Sequence, residues 1–370
     1  MRGAAGRTSP PGARSRILSP VTEPARILVL GYRHLGDALF LTPMLRALKR
    51  RFPDADVAVT AGGAGAAALA GNPHVDRVWP LRGRGTRAKI ELLPALRRER
   101  FDIGVMAQHS LPNALYLRML GCRTRVGLAT RGCGPLLTHR VAVPRPPTAW
   151  HEADRYLGLA EALGAVSDDR GLEFAIAAAD RAEAAATIAR LELAGRASTA
   201  GDGRPLLVAL FPGSSAEWAF KRWPPERFAA LGRRLVEERG AQVIVVGGRD
   251  DLPTMRQVSA MIGASHALDD APGTLGRFAA LVAECDVLVT NDSGPMHLAT
   301  AVGTRVVDLA GPSDPRRTGP YGSGHIVVQK VPPGSPKAWA RAADPALPMK
   351  LITVEDAAAA VDEALRAAAR

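Results

Sequence analysis

The feature that most constrains the fold is a pattern of short apolar segments alternating with helical stretches, repeated in two separate series. Five such segments lie between residues 27 and 128, and five more lie between residues 206 and 328. Apolar strands separated by helices are typical of parallel βαβ winding. We therefore predict an α/β protein with two Rossmann-like, doubly wound domains.

Composition changes along the chain predict where these domains begin and end. Residues 1–25 are rich in Arg, Pro, Gly and Ser and are expected to form a disordered basic leader. We assign residues 26–196 to the first domain, the polar segment 197–204 to a linker, residues 205–350 to the second domain and residues 351–370 to a C-terminal helix. Two domains on one linker create a cleft, the usual location of a ligand site.

Length and composition describe an ordinary globular protein. The 370 residues are 47% hydrophobic, and no apolar run approaches the roughly 18 residues of a membrane span. The leader lacks the apolar core of a signal peptide, and the three cysteines form no CxxC pair. These features predict a cytoplasmic protein with reduced thiols.

Positive charge is concentrated in the first domain. Residues 26–150 contain 20 Lys and Arg against 7 Asp and Glu, whereas residues 151–370 contain 24 against 28. An anionic partner such as a phosphorylated lipid or glycan would explain this excess, and an arginine-rich composition without function is the alternative. Nucleic acid is disfavoured because only 5% of the residues are aromatic and no basic-aromatic stacking motif is present.

Residues 285–299 are the most informative segment, because an apolar strand there leads into a polar turn that opens a helix. Asn291, Asp292, Ser293 and Gly294 have the chemistry of a helix start, and Pro295 suits the first turn. The free amides and the dipole of such a turn favour an anion such as phosphate. An ordinary capped helix is the alternative.

A second turn of this kind follows the apolar segment 206–211. Gly213 permits close approach of the backbone, and Ser214 and Ser215 offer hydroxyl groups. Lys221 or Arg222, a few residues later, would neutralise a diphosphate as it becomes a leaving group. A solvated loop is the alternative for this turn.

The third candidate segment contains Asp37, which follows the first apolar segment at the entrance of a helix. An aspartate at that position is most often an N-cap. It also lies where an open α/β sheet binds its ligands, outside the carboxyl ends of the strands.

Four ordered motifs resemble those of the heptosyltransferase family of bacterial glycosyltransferases, glycosyltransferase family 9. They are residues 36–43 (GDALFLTP), 211–215 (FPGSS) with 221–224 (KRWP), 291–299 (NDSGPMHLA) and 311–320 (GPSDPRRTGP). The resemblance implies the two-domain GT-B fold with a central cleft. It further implies inverting transfer of heptose from ADP-heptose to an acceptor of the lipopolysaccharide inner core, with the acceptor on the first domain and the nucleotide sugar on the second.

The resemblance also implies roles for individual residues. Asp37 matches the general base that takes the proton of the acceptor hydroxyl. Asp250 and Asp251 match an acidic contact to ribose or sugar, although Asp251 as a helix cap is the alternative. The residues implied to bind the donor phosphates and sugar are Ser214, Ser215, Lys221, Asp292, Ser293, Gly294 and His297. His297 as a packed helix residue is also an open alternative.

The expected partners are a nucleotide sugar and an anionic lipid-linked saccharide, with peripheral contact at the inner face of the cytoplasmic membrane. No tightly bound cofactor and no metal are expected. Alternatives are a family member that uses another nucleotide sugar for a capsule, glycolipid or secondary metabolite, and a nucleotide-binding protein without catalysis. A dinucleotide-dependent oxidoreductase is disfavoured because residues 31–36 (GYRHLG) lack the GxGxxG pattern.

Overall fold

The structure is a computed structural model that describes residues 16–17, 24–83, 85–130, 132–143, 150–193, 205–263, 265–267 and 273–366. Its strands form two sheets of seven and six strands. This architecture confirms the predicted α/β class with two doubly wound sheets.

The first sheet has the strand order β1-β7-β6-β5-β2-β3-β4 and is parallel except for β1, which pairs antiparallel with β7. Its central strand β2 is buried along nearly its whole length, as expected for a strand covered on both faces. The strands are β1 (Arg16–Ile17), β2 (Arg26–Leu30), β3 (Asp56–Ala61), β4 (Arg77–Pro80), β5 (Ile103–Met106), β6 (Thr124–Leu128) and β7 (His139–Val141).

The second sheet has the order β10-β9-β8-β11-β12-β13 and is parallel throughout. Its strands are β8 (Leu207–Phe211), β9 (Gln242–Val245), β10 (Ser265–Ala267), β11 (Val287–Asn291), β12 (Arg305–Ala310) and β13 (Ile326–Gln329).

Both sheets reverse their winding direction at one point, between β2 and β5 in the first sheet and between β8 and β11 in the second. Ligands of open α/β sheets bind in the crevice outside the carboxyl ends of the strands at such a point. The turns after β2, β8 and β11 carry most of the predicted site residues, so the topology explains why they are candidates.

The helices connect these strands and cover the sheets. Several have the expected end signals: Pro225 begins α8 and Gly240 ends it in the left-handed conformation. The helices are α1 (Leu35–Leu39), α2 (Thr42–Arg51), α3 (Gly63–Leu69), α4 (Gly85–Arg98), α5 (Leu111–Met119), α6 (Glu152–Glu161), α7 (Ala178–Arg190), α8 (Pro225–Arg239), α9 (Leu252–Ile262), α10 (Leu275–Ala283), α11 (Gly294–Ala301), α12 (Pro315–Thr318), α13 (Pro336–Trp339), α14 (Leu347–Lys350) and α15 (Val354–Arg366).

Two helices, α7 and α15, pack against the second half of the chain. Helix α7 lies within the segment 26–196, yet it contacts α10 of the second half: Glu183 forms an ion pair with Arg277, and the Thr274 hydroxyl donates to Asp180 at 3.5 Å. Helix α15 packs on α8 and on the second sheet. The predicted linker 197–204 lies outside the described residues.

The predicted leader contains a short element of structure. Arg16 and Ile17 form β1, which extends the first sheet beside β7, so these two residues are not disordered as expected. Backbone pairing at a sheet edge requires no apolar pattern, which is why the sequence did not reveal it. The rest of residues 1–23 lies outside the described residues. The Pro-rich stretch 331–348 contains the short α13 and the start of α14.

Within the described ranges, no helix combines the length and the hydrophobicity that crossing a bilayer requires. The cysteines Cys122, Cys133 and Cys285 are all buried and unbridged. Cys285 therefore behaves as the small core residue that its position before β11 suggests.

Candidate active site

Helices α1 and α11 bring the two halves of the chain into direct contact at the cleft. A Cβ atom added to Gly36 of α1 would lie 2.4 Å from Cδ2 of His297, and one added to Gly294 would lie 3.2 Å from Cδ2 of Leu35. Glycine at position 36 is therefore required by close approach. The contact brings the turn after β2 against the helix start after β11.

Asp37 follows Gly36 and lies at this contact. Helix α1 begins at Leu35 with His34 in the N-cap position, so Asp37 is the third helical residue and not the N-cap. Burial raises the pKa of its carboxyl group, which nearby His34 opposes and Glu152 reinforces. Among the described residues, none forms a hydrogen bond or ion pair with the Asp37 carboxylate. The carboxylate is therefore available to a ligand.

A pair of tyrosines lies beside Asp37. The Tyr156 hydroxyl donates to the Tyr32 hydroxyl at 2.6 Å, and Tyr32 donates to the Ala107 carbonyl at 3.0 Å. Burial raises the pKa of both phenols, and the negative charge of Asp37 contributes to each shift. Both side chains are therefore neutral hydrogen-bonding groups within electrostatic reach of the carboxylate.

The turn after β8 is held to the end of β11 by Asn291. Its side-chain amide donates to the carbonyls of Pro212 and Gly213 at 3.1 and 3.0 Å, and its side-chain oxygen accepts from the Trp223 backbone amide at 2.8 Å. Asn291 is buried, so these bonds are fully desolvated. The sequence suggested Asn291 only as part of a helix start, and its bracing of the neighbouring turn was missed.

The predicted phosphate loop has a defined internal structure. Arg222 donates to the Ser214 carbonyl at 2.6 Å and to the Ser214 hydroxyl at 3.1 Å. The Ser214 hydroxyl in turn donates to the Trp218 carbonyl at 3.2 Å, whereas Ser215 is exposed. Ser214 therefore shapes the loop, and Ser215 is the serine that is exposed.

Lys221 and Asp292 form an ion pair across the two turns. Their charged atoms are 2.6 Å apart, and each side chain is only 11% exposed. Asp292 therefore does not cap α11 as the helix-start pattern suggested. The pair instead brings a cation and a carboxylate from two separate strand ends to one point of the cleft.

The start of α11 holds two buried polar atoms without partners among the described residues, Ser293 Oγ and His297 Nδ1. Ser293 is in the N-cap position, but its side chain makes no capping bond. His297 packs edge-on against Phe40 at 4.6 Å between ring centroids, and burial lowers its pKa to about 3. It is thus a packed, neutral imidazole that contributes no charge to the site.

Asp308, in the interior of β12, is a buried acid that the sequence analysis missed. It is 1% exposed, and neither carboxyl oxygen has a hydrogen-bond partner in the described part of the chain. Burial raises its pKa well above the usual range, the charge of Asp292 adds to this, and Lys221 opposes it. A lone Asp in an apolar strand is the signal that would have identified it.

We predict that Asp308→Asn increases the free energy of unfolding at neutral pH. Because the folded-state pKa is raised, the protonated acid is favoured by folding, and stability declines as pH rises above the unfolded value of about 3.9. Asn has no proton to lose, so the advantage of the variant should widen as pH rises above about 4 and become constant once the raised folded-state pKa is passed. Urea unfolding from about pH 4 upward tests this. A variant that is less stable throughout, or a difference independent of pH, would contradict it.

The two acids after β9 differ in position. Asp250 is exposed, whereas Asp251 lies at the N-cap position of α9 but makes no capping bond to that helix, and its carboxylate accepts instead from the Gly248 backbone amide at 3.0 Å. Asp251 also lies over the phosphate loop, since a Cβ on Gly213 would be 2.3 Å from its Oδ1. Burial raises its pKa. Of the two, Asp251 is the one that borders the cleft.

Helix α6 forms a second connection between the two halves. The Tyr321 hydroxyl donates to Asp154 at 2.6 Å, and Arg317 forms an ion pair with Glu152 at 2.5 Å. His151 caps α6 through Nδ1, which accepts from the Ala153 backbone amide, and its Nε2 is 3.1 Å from the Gly319 carbonyl. These contacts hold the motif 311–320 against the first half, a role that no local pattern indicates.

A cavity of about 630 Å³ opens beside Asp37 in the first half. It is lined by the turn after β2, including Tyr32 and Arg33, by the turn after β5, including His109, and by helices α4 and α5. His109 Nε2 accepts from the Arg155 guanidinium at 3.1 Å, which connects the cavity wall to α6. The cavity is thus a second binding space, lined by residues of the first half alone.

The described ranges contain no cluster of three or more His, Cys, Asp or Glu side chains that could hold a metal ion. The chemical groups gathered at the cleft are instead one ion pair, one available carboxylate and two helix-start turns. Such groups can bind a diphosphate and accept a proton.

The chain is similar to known proteins over most of its length. The model of glycosyltransferase family 9 (heptosyltransferase) matches residues 90–339. Lipopolysaccharide heptosyltransferase 2 of Escherichia coli K12 is 28% identical over 319 residues, which cover 83% of this chain and 88% of that protein. Lipooligosaccharide heptosyltransferase 2 of Haemophilus ducreyi is 26% identical over 325 residues, covering 84% and 90% of the two chains.

Solved structures show the same fold. A family 9 glycosyltransferase of Veillonella parvula superposes with a TM-score of 0.78 at 24% identity, covering 92% of this chain and 97% of that one. The Escherichia coli ADP-heptose heptosyltransferase II superposes with a TM-score of 0.70 at 22% identity, covering 93% and 100%. A heptosyltransferase of Escherichia coli solved with ADP gives 0.68 at 16% identity, covering 93% and 99%. The fold is therefore GT-B, and the chain belongs to glycosyltransferase family 9, the heptosyltransferases.

Proposed function

We propose that this protein transfers heptose from ADP-heptose to an acceptor of the lipopolysaccharide inner-core type, with inversion at the anomeric carbon. The observation that carries the proposal is the contact of Gly36 with His297, because it sets Asp37 of the first half directly against the helix start of the second half. A general base and a diphosphate turn are thereby within one cleft.

The second half supplies the donor site in this proposal. The turns containing Ser214, Ser215 and residues 293–294 offer hydroxyl groups and helix-start amides to the two phosphates of ADP. Two buried polar atoms at α11, Ser293 Oγ and His297 Nδ1, need hydrogen-bond partners that a donor would provide. Asp251, beside Gly213, is the nearer of the two acids expected to contact ribose or sugar.

The proposed reaction has one bond-forming and one bond-breaking event. The acceptor hydroxyl oxygen attacks the anomeric carbon, Asp37 takes the hydroxyl proton, and the bond between that carbon and the β-phosphate oxygen breaks. ADP leaves with the electron pair of that bond. Lys221 stabilises the charge that develops on the leaving diphosphate, because its ammonium group lies at the end of β11 beside Asp292.

The first half binds the acceptor in this proposal. The names of the curated relatives identify lipopolysaccharide or lipooligosaccharide as what they act on. An anionic lipid-linked saccharide fits the excess of positive charge in residues 26–150 and the cavity beside Asp37. The site of action proposed is the cytoplasm, at the inner face of the cytoplasmic membrane.

Calorimetry with a panel of nucleotide sugars, followed by mass spectrometry of the acceptor, tests the proposal. ADP-heptose should bind more tightly than UDP- and GDP-sugars, and a heptose-deficient core acceptor should gain the mass of one heptose. Preference for another nucleotide sugar would identify the enzyme as a family member with a different donor. A donor that binds but keeps its sugar with every acceptor would indicate a binding protein without catalysis.

A further inference from the structure

Helices α4 and α5 carry an unusual concentration of exposed apolar side chains. Among the described residues, eight large hydrophobic side chains are exposed, and four of them are on these two helices: Ile90, Leu111, Leu115 and Met119, with 58, 49, 48 and 45% exposure. Scattered single residues of this kind are normal, but a cluster marks an interaction surface. We call these four residues the apolar stripe.

The members of the stripe lie near one another because of how the two helices are joined. Leu111, Leu115 and Met119 are four residues apart and therefore lie on one face of α5. The Tyr116 hydroxyl donates to the Lys89 carbonyl at 2.7 Å, and Lys89 Nζ donates to Asn113 at 2.6 Å. These bonds join α4 to α5, and Ile90 of α4 lines the same cavity as Leu115 and Met119 of α5.

The stripe also forms the mouth of the cavity beside Asp37. Ile90, Leu115 and Met119 line that cavity and are at the same time exposed to solvent. Its inner wall carries the more polar Arg33 and His109. A molecule with an apolar part at the surface and a polar part inside would therefore reach from the stripe toward Asp37.

Positive charge surrounds the stripe. Helices α4 and α5 together contain five Lys and Arg residues and one acid, Glu91, which is paired with Arg87 at 3.1 Å. The exposed basic side chains on these helices and the loops beside them are Arg82, Arg87, Arg97, Arg98, Arg118 and Arg123. An apolar face bordered by cations complements a bilayer that presents anionic head groups over hydrocarbon.

We propose that the apolar stripe and its basic border dock this enzyme on an anionic phospholipid bilayer, with the cavity mouth facing the lipid. The inference rests on the proposed function, because a lipid-linked acceptor must be drawn from such a surface. The apolar side chains enter the interfacial region, the arginines contact lipid phosphates, and the saccharide of the acceptor extends through the cavity to Asp37.

Co-sedimentation with vesicles tests this surface in the full-length protein. The wild type should bind vesicles of phosphatidylethanolamine and phosphatidylglycerol, bind phosphatidylcholine vesicles much more weakly, and dissociate as salt is raised. The double variant Leu111→Glu/Leu115→Glu should reduce the bound fraction on anionic vesicles at least tenfold, because its carboxylates are repelled and its apolar contacts are lost.

The matched control adds two carboxylates at exposed apolar residues elsewhere. Val166 and Leu351 are 82 and 44% exposed, and Val166→Glu/Leu351→Glu should bind vesicles like the wild type. Both double variants should bind ADP with wild-type affinity, since neither pair lies in the donor site. That affinity verifies that the protein is folded.

The outcomes separate the docking surface from the proposed reaction. Equal vesicle binding by wild type and the Leu111→Glu/Leu115→Glu variant would overturn the docking proposal, as would equal binding to neutral and anionic lipid. If the same variant lost self-association but kept vesicle binding, the stripe would be a contact between two copies of the chain and not a membrane surface. Vesicle binding as expected together with absence of sugar transfer would refute the proposed function and leave the docking surface intact.

Discussion

Replacing Asp37 by Asn is expected to lower the rate of sugar transfer by roughly two to four orders of magnitude, the usual contribution of a general base. Asn keeps the size of the side chain but cannot accept the proton. Affinity for ADP should change little, because the proposed phosphate groups lie on the second half. Single-turnover rates and calorimetry on the same preparation measure the two effects separately.

The pH profile distinguishes a base from a merely structural Asp37. The ionised carboxylate is the active form, and burial raises the pKa of this group. Activity should therefore fall as pH drops through a pKa above the ordinary value for Asp, and this acidic limb should be absent in Asp37→Asn. Turnover like that of the wild type in the variant would remove Asp37 from the mechanism.

Replacing Lys221 by Met is expected to lower kcat by about 100- to 1000-fold, the usual cost of removing one group that stabilises a developing anion. Lys221 is the cation that the structure holds between the two phosphate turns, at 2.6 Å from Asp292. ADP affinity should also fall. Steady-state kinetics and calorimetry with ADP measure both changes.

Lys350→Met is the matched control for Lys221→Met. Lys350 forms an ion pair with Asp344 at 2.8 Å, but both side chains are about half exposed and lie outside the cleft. This control should keep wild-type kcat and ADP affinity. If both lysine variants retained activity, the Lys221–Asp292 pair would have a structural role only, and another group would have to stabilise the leaving diphosphate.

The sequence predicted those parts of the site that depend on local signals. Each of the turns after β2, β8 and β11 follows an apolar strand and carries residues suited to a helix start or a tight turn. Parallel winding brings such turns to one edge of a sheet, so the sequence was sufficient to group Ser214 with Asp292. The same rule, applied to the first sheet, predicted that Asp37 lies on the opposite side of the cleft.

The parts that the sequence did not predict depend on contacts between distant segments. The bracing of the turn after β8 by Asn291 and the burial of Asp308 require the neighbouring strands to be in place. The same holds for α7, whose amphipathic pattern specifies an apolar face but not which half of the protein covers it. The His151 ring caps α6 through a local contact, while its contact with Gly319 arises only when the halves meet.

The account depends most on the cleft between α1 and α11, and a crystal structure with a non-hydrolysable ADP-heptose analogue tests it most directly. The diphosphate should contact the turns containing Ser215 and Gly294 and lie within reach of Lys221. The anomeric carbon should face Asp37, with room between them for one acceptor hydroxyl. A diphosphate bound elsewhere, or an Asp37 carboxylate directed away from the sugar, would contradict the account.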